Sequence, residues 1–358
     1  MNKKEITEIK KQFSPVNCNI QRIASCCITA EKEVLPQKVE AFLSLSEEKA
    51  FQYFDLFKGA LTGKVGEALH TINFPSVNGG CDEWKMMEDL RKSKLMDESL
   101  LNEFYEMVKT TYHYNENYMV ILINGLYDVP AGNGFDDSVY DYIHCIICPI
   151  DLSKASLAFD RSENSIQDGI RQRLVGKPMT GILYPAFHDR AEDLHALLYF
   201  EKKSRQDDLI KAVSGSEMPY TNDELKTSFK TAAESTEEAY TLDTAKALSD
   251  IVTDAGETMD DITIKELSES LEIRGIVAET CAKLEKALTG IVGENTRIPI
   301  PVLGDQKKAV IVTPEMKITT EADYLQQVRA MRIDGRLCLV LPVSDKTAEI
   351  NGITTILQ

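Results

Sequence analysis

The sequence predicts an α+β protein: N-terminal helices packed on a mainly antiparallel sheet, then an acidic helical region and a small C-terminal β segment. Three observations predict it. Apolar residues recur at helical spacing through residues 1–115, short runs rich in β-formers fill 116–202, and after a polar stretch the same order repeats, helical over 203–294 and β-rich over 295–358. Helices first and strands later favour layers of segregated elements over alternating βαβ units, which argues against a parallel nucleotide-binding sheet. The domain plan is therefore an α+β domain at 1–202, a linker with acidic helices at 203–294, and a β-rich segment at 295–358.

The elements follow in order. "SLSEEKAFQYFDLFKGAL" sets Ser44 and Glu47 at capping-box spacing, with Phe51, Phe54 and Phe57 along one side. Asp97 can cap "ESLLNEFYEMVKTTYHY", where Leu100, Phe104, Met107 and Val108 make an apolar stripe. The strands expected next are "YMVILINGLYDV", "VYDYIHCIICPI", "GILYPAF" and "HALLYFEK", the first two joined hairpin-fashion by "PAGNGFDDS". "KSRQDDLIKAVSGSEMPYTNDE" has the composition of a boundary. Helix returns in "TLDTAKALSDIVTDAG" and "TIKELSESLEIRGIVAETCAKLEKALTG", and the last 64 residues read as strands: "TRIPIPVL", "KAVIVTP", "LCLVLPV" and "EINGITTIL".

At 358 residues the chain exceeds what a single core usually holds, and 43% hydrophobic with 27% charged residues is a globular composition. "MNKKEITEIKKQF" has no apolar stretch behind its lysines, and no run reaches membrane-spanning length. A cytoplasmic protein is the expectation, with its eight scattered cysteines reduced. Lysine and arginine total 40 against 57 acids, and a net charge of -17 repels phosphate backbones and anionic lipid, so neither nucleic acid nor membrane is an expected partner. Residues 201–294 hold 21 acids and 11 bases, a surface suited to a protein partner.

Four motifs suggest chemistry. Cys145 and Cys148 lie three apart on a strand, so they point to opposite faces and one ion could hardly collect both; without a second Cys pair they read as core. "KGALTGKVGEAL" has three residues between Gly59 and Gly63 and Val65 after Lys64, which breaks the phosphate-loop pattern. "TIKELSESLEIRGIVAETCAKLEKALTG" has helix-turn-helix rhythm, Thr263 capping and a turn near Gly275, yet five acids against four bases between Ile262 and Leu288 disfavour DNA. The fourth, "YPAFHDRAEDLH", gathers His188, Asp189, Arg190 and Asp193 on what reads as a connection between strands, the candidate place for binding or acid–base chemistry. No nucleophile elbow, HExxH or kinase signature occurs, and no cofactor or metal is expected.

The start "MNKKEITEIKKQFSPVNCNIQRI", the central "YDYIHCIICPIDLSKASLAFD" and "GILYPAFHDRAEDLHALLYFEKK", and the closing "RIDGRLCLVLPVSD" with "INGI" resemble a Clostridia-type bacterial family of cytoplasmic proteins known as a domain of unknown function. That resemblance spans nearly the whole chain and implies no activity, cofactor or catalytic residue. The function expected is non-catalytic binding of a macromolecular partner through the acidic helical region or the terminal β segment. The alternative is a hydrolase, metal-assisted, with its site in the 185–195 loop. A third reading is association with nucleic acid.

Overall fold

The long apolar runs in the centre of the chain become strands whose side chains are buried alternately on two faces of one sheet. Along β5 (Val139–Leu152), Ile143, Cys145 and Ile147 enter one core while Tyr142, Ile146 and Cys148 enter the other. A strand buried on both faces reads as a continuous apolar run, which is why "YIHCIIC" shows no polar alternation.

The computed structural model describes all residues except 76–79, 130–138, 156, 163, 237–239, 256–258, 260, 295, 351 and 358. It divides into two units, Met1–Pro219 and Tyr220–Gln358. The first runs α1 (Lys3–Gln12), β1 (Ile20–Ile28), β2 (Lys38–Ala41), α2 (Glu47–Gly59), β3 (Leu69–Asn73), α3 (Asp82–Ser93), α4 (Glu98–Thr111), β4 (Tyr118–Asp128), β5, β6 (Leu157–Asp160), β7 (Ser165–Asp168), β8 (Arg173–Val175), β9 (Thr180–Tyr184), β10 (Ala186–His188), β11 (Ala191–Asp193), β12 (Ala196–Glu201) and α5 (Asp207–Ser214).

The sheet has the order β2-β1-β4-β5-β9-β12-β3, with β8 also paired to β5, and its strand pairs are antiparallel. Ile6 and Ile9 of α1 with Phe13 at its C-terminal cap, and Phe54 and Phe57 of α2, cover one face. Leu90 of α3, Phe104 and Val108 of α4, and Leu209 and Val213 of α5 cover the other. The α+β class with helices on a mainly antiparallel sheet is thus the observed architecture. Helices lie on both faces, and α5, from the expected boundary segment, packs into the first unit's core.

Three local expectations change. The first third is not all helix, because β1, β2 and β3 lie within it; β1 lies between the edge strand β2 and β4 and sends Ala24, Cys26 and Ile28 into one core and Ile20 and Ile23 into the other, so its "IASCCI" lacks a strand's plain polar alternation. Ser44 forms no capping box: it sits in a single 3-10 turn with its hydroxyl donated to the Ala41 carbonyl at 2.7 Å, and Ser46 precedes α2 instead. Phe54 and Phe57 are buried but Phe51 turns outward, since residues three apart drift about 60° around a helix. Asp97 does cap α4, accepting from the Ser99 and Leu100 amides at 2.9 and 3.2 Å. The glycine-rich loop at 130–138 lies outside the described residues, while β4 and β5 pair antiparallel up to Asp128 opposite Val139.

The second unit contains α6 (Asn222–Ser235), α7 (Leu242–Ala255), β13 (Asp261–Thr263), α8 (Ile264–Ile273), α9 (Ala278–Val292), β14 (Arg297–Pro299) and α10 (Ile300–Leu303), followed by β15 (Lys308–Val312), β16 (Lys317–Glu321), β17 (Arg329–Ile333), β18 (Arg336–Val340), β19 (Thr347–Ile350) and β20 (Ile353–Ile356). Phe229, Leu248, Ile251, Leu267, Leu284 and Leu288 form its core. Thr263 caps α8 in a full capping box with Glu266, and Gly275, at φ 89°, makes the turn into α9. "IPVL" of the expected "TRIPIPVL" strand is helical, entered through Pro301 in its first turn. Among the described residues, the last six strands pair as three separate hairpins.

Candidate functional site

The segment carrying His188, Asp189, Arg190 and Asp193 is a hairpin, β10 to β11, with Ala186 opposite Asp193 and His188 opposite Ala191. Its two central residues, Asp189 and Arg190, have φ of 49° and 64°, the left-handed pair of a type I′ turn. Neither is glycine, so the tip carries backbone strain that the sheet beneath it sustains.

The four side chains separate. His188 and Asp189 stay together at the solvent-exposed tip, with Nδ1 3.3 Å from Oδ2. Arg190 turns away and donates to Glu8 Oε1 of α1 at 2.8 Å, while Tyr127 of β4 donates its hydroxyl to Glu8 Oε2 at 2.8 Å. The Arg190 hydrogen bond holds the Glu8 carboxyl below the usual carboxylate range, against the opposing effect of burial. Asp193 Oδ1 accepts from the His195 amide at 3.0 Å and so shapes the turn into β12.

A second polar network lies beside the hairpin, and sequence reasoning missed it. Glu88 of α3 is buried, and Arg91 grips it with two bonds, Nε to Oε2 at 2.9 Å and Nη2 to Oε1 at 2.8 Å. Lys92 reaches the same carboxylate at 3.3 Å, Arg91 also meets Glu192 of β11 at 3.4 Å, and the Tyr184 hydroxyl lies 3.1 Å from Glu88 Oε2. Burial works against the charged carboxylate, but Arg91, Lys92 and Tyr184 outweigh it and keep the Glu88 pKa below its ordinary value. The signal was present as Glu88 and Arg91 at i,i+3 on the buried side of an amphipathic helix.

Apart from Arg190 Nε, which has no hydrogen-bond partner among the described residues, these groups satisfy one another. Glu8 and Glu88 are held ionised by their cations, which suits them to fastening α1, α3 and the hairpin to the sheet rather than to accepting or releasing protons near neutrality. Among the described residues, no group of three or more His, Cys, Asp or Glu side chains is placed to hold a metal ion. Cys145 and Cys148 are buried on opposite faces, and burial pushes both thiols up, Cys148 to about 12. His144 is fully buried against Phe13 and Phe57, with Nδ1 3.1 Å from the Ile182 carbonyl.

An open cleft of about 540 Å³ lies at the end of β5, with Thr29, Asn117, Ile150, Glu31, Glu116 and Arg173 among its lining. Its three charged side chains, Glu31, Glu116 and Arg173, stand on the solvated surface. More distinctive are exposed apolar side chains that the sequence reading passed over: Leu157, Phe159 and Ile166 on β6 and β7, and Leu337, Ile353 and Ile356 on the terminal hairpins. Among the described residues no helix is long and apolar enough to cross a membrane.

No curated protein and no solved structure matches the chain. A family model described as "Domain of unknown function (DUF4317)" matches residues 1–353, all but the last five positions, and the chain belongs to that family.

Proposed function

We propose that this protein is a non-catalytic binding protein whose terminal β-hairpins take hold of another polypeptide. One observation carries the reading: between Lys308 and Ile356 the chain forms three isolated hairpins that leave Val310, Val312, Leu337, Leu339, Ile353 and Ile356 exposed. A lone two-stranded hairpin is marginal in water, and exposed apolar rows on three in succession gain most when a partner covers them. Their free edges also offer strand addition, in which main-chain bonds supply affinity and side-chain rows supply selectivity.

The acidic helices of the same unit would add charge selection for the partner and favour one with basic side chains. A hydrolytic centre at His188, Asp189, Arg190 and Asp193 ranks second, since Arg190 and Asp193 are engaged elsewhere and leave only His188 and Asp189 at the tip.

The test is site-specific photo-crosslinking in cells, with the reactive residue at position 337 or 353 and, as control, at exposed Glu103 of α4. A discrete polypeptide adduct from 337 and 353 and none from 103 supports the reading. Equal labelling at all three sites, or no adduct, sinks it.

A further inference from the structure

We infer that the β17–β18 hairpin holds an acidic, extended segment of its partner, with the hairpin's arginines taking the partner's carboxylates. The inference rests on the reading that the terminal hairpins grip a polypeptide, and it names the chemistry of the segment gripped. In a chain whose net charge is -17, residues 329–340 carry three arginines against one aspartate. Cross-strand pairing sets each arginine opposite an apolar residue: Arg329 opposite Val340, Arg332 opposite Leu337 and Arg336 opposite Ile333. Directly opposite side chains are each other's nearest neighbours on a sheet face, so none of the three has a carboxylate there. Asp334 lies instead in the tip, where it and Gly335 have φ of 47° and 79°. Arg332 donates to the Gly335 carbonyl at 3.2 Å, and among the described residues none of the three guanidinium groups pairs with a carboxylate. All three are exposed.

Both faces combine positive charge with apolar surface. Arg329 and Arg336 flank Met331 and Ile333 on one, and Arg332 stands beside Leu337 and Leu339 on the other, with Leu337 74% exposed. Among the described residues β17 and β18 pair only with each other, so both outer edges can accept a strand. A strand laid there gains main-chain bonds and sends alternate side chains over the two faces. Its complement to this hairpin is carboxylates among apolar residues, since the guanidinium fork binds a carboxylate with two parallel bonds. A bilayer or a nucleic-acid duplex fits less well: an extended anionic surface also meets the field of a chain at -17, whereas a single strand meets the hairpin alone. The basic side chains that the acidic helices favour belong to other parts of the partner.

The experiment is fluorescence anisotropy of the full chain with a labelled peptide of alternating glutamate and valine, beside its glutamine–valine counterpart. The acidic probe should bind about tenfold more tightly than the neutral one. Arg329→Gln with Arg336→Gln should weaken the acidic probe about tenfold, leave the neutral one unchanged and keep the circular dichroism, since both side chains are exposed. Arg329→Lys with Arg336→Lys retains the charge and should retain most of the affinity. Asp334→Asn, which keeps a favoured turn residue and removes the hairpin's one acid, should tighten the acidic probe, a gain that misfolding does not produce.

Equal affinity for the two probes, or a preference that the glutamine variant keeps, overturns the inference. Photo-crosslinking at position 337 repeated in the glutamine background separates it from the broader reading: a wild-type adduct that persists undiminished there overturns the acidic segment and leaves polypeptide binding standing. Phosphatidylglycerol vesicles or a DNA duplex bound through the same arginines, with no preference between the peptides, would reassign the hairpin and equally overturn it. So would self-association in sedimentation that the glutamine variant abolishes while the peptides stay unbound, which would assign the arginines to a second copy.

Discussion

Replacing His144 with phenylalanine should remove a large part of the acid sensitivity of the first unit. The imidazole is fully buried, stacked 6.1 Å from Phe13 at 14° and edge-on to Phe57 at 6.0 Å. Burial pulls its pKa from 6.5 to about 4, although the Ile182 and Phe57 backbone favours the charged ring. In the unfolded chain the same ring takes up a proton at its ordinary value. The stabilisation is therefore complete above pH 6.5 and is lost as pH falls towards 4. At about 1.4 kcal/mol per pH unit, that interval amounts to about 3 kcal/mol.

Urea unfolding followed by fluorescence of Trp84, the chain's one tryptophan, reports on the first unit alone. From pH 7 to pH 4 the wild type should lose about 3 kcal/mol more than His144→Phe. The variant also gives up the hydrogen bond to the Ile182 carbonyl, a loss of about 1 kcal/mol that is the same at every pH and drops out of the comparison. Carboxylates that titrate in the same window do so in both proteins and cancel as well. Parallel pH profiles, with the two proteins separated by a constant offset, would refute the reasoning and place a proton or a polar partner on His144 in the folded state.

Other consequences follow from the same core. Glu88→Ala should destabilise the first unit by about 3 kcal/mol in urea titrations, because it leaves Arg91 largely buried without its carboxylate, whereas Glu88→Leu with Arg91→Met should recover much of the loss. Gly125→Ala should cost about 1–3 kcal/mol: the added Cβ would fall 2.6 Å from the ring of Tyr142, which is buried and has nowhere to move. Asp97→Ala should cost about 1 kcal/mol, read as a lowered thermal midpoint, through loss of the α4 cap. Cys145 and Cys148 should resist alkylation in the native protein and label fully in denaturant, as peptide mass spectrometry would resolve.

How much of the molecule was legible depended on how local each feature was. Asp97 and Thr263 could be read as caps because a cap is a side chain bonding to an amide two or three residues away. The opposite facing of Cys145 and Cys148 followed from the two-residue period of a strand, and the structure sends them into separate cores. The strand β1 was missed for the converse reason: its identity comes from β2 and β4 on either side, and burial of both faces erases the alternation that would announce it.

The polar cluster shows the limit most clearly. His188, Asp189, Arg190 and Asp193 are close in sequence, but a type I′ tip sends neighbouring side chains in different directions, so adjacency does not predict convergence. Arg190 instead meets Glu8, 182 positions away, and Glu192 meets Arg91, 101 positions away. Such pairings are set by which helix lies over which end of the sheet, and no local pattern encodes that. Exposed apolar side chains differ again. Phe159 and Ile166 read as ordinary strand formers, and only the absence of a covering layer over the β6–β7 hairpin among the described residues leaves them exposed instead of in a core.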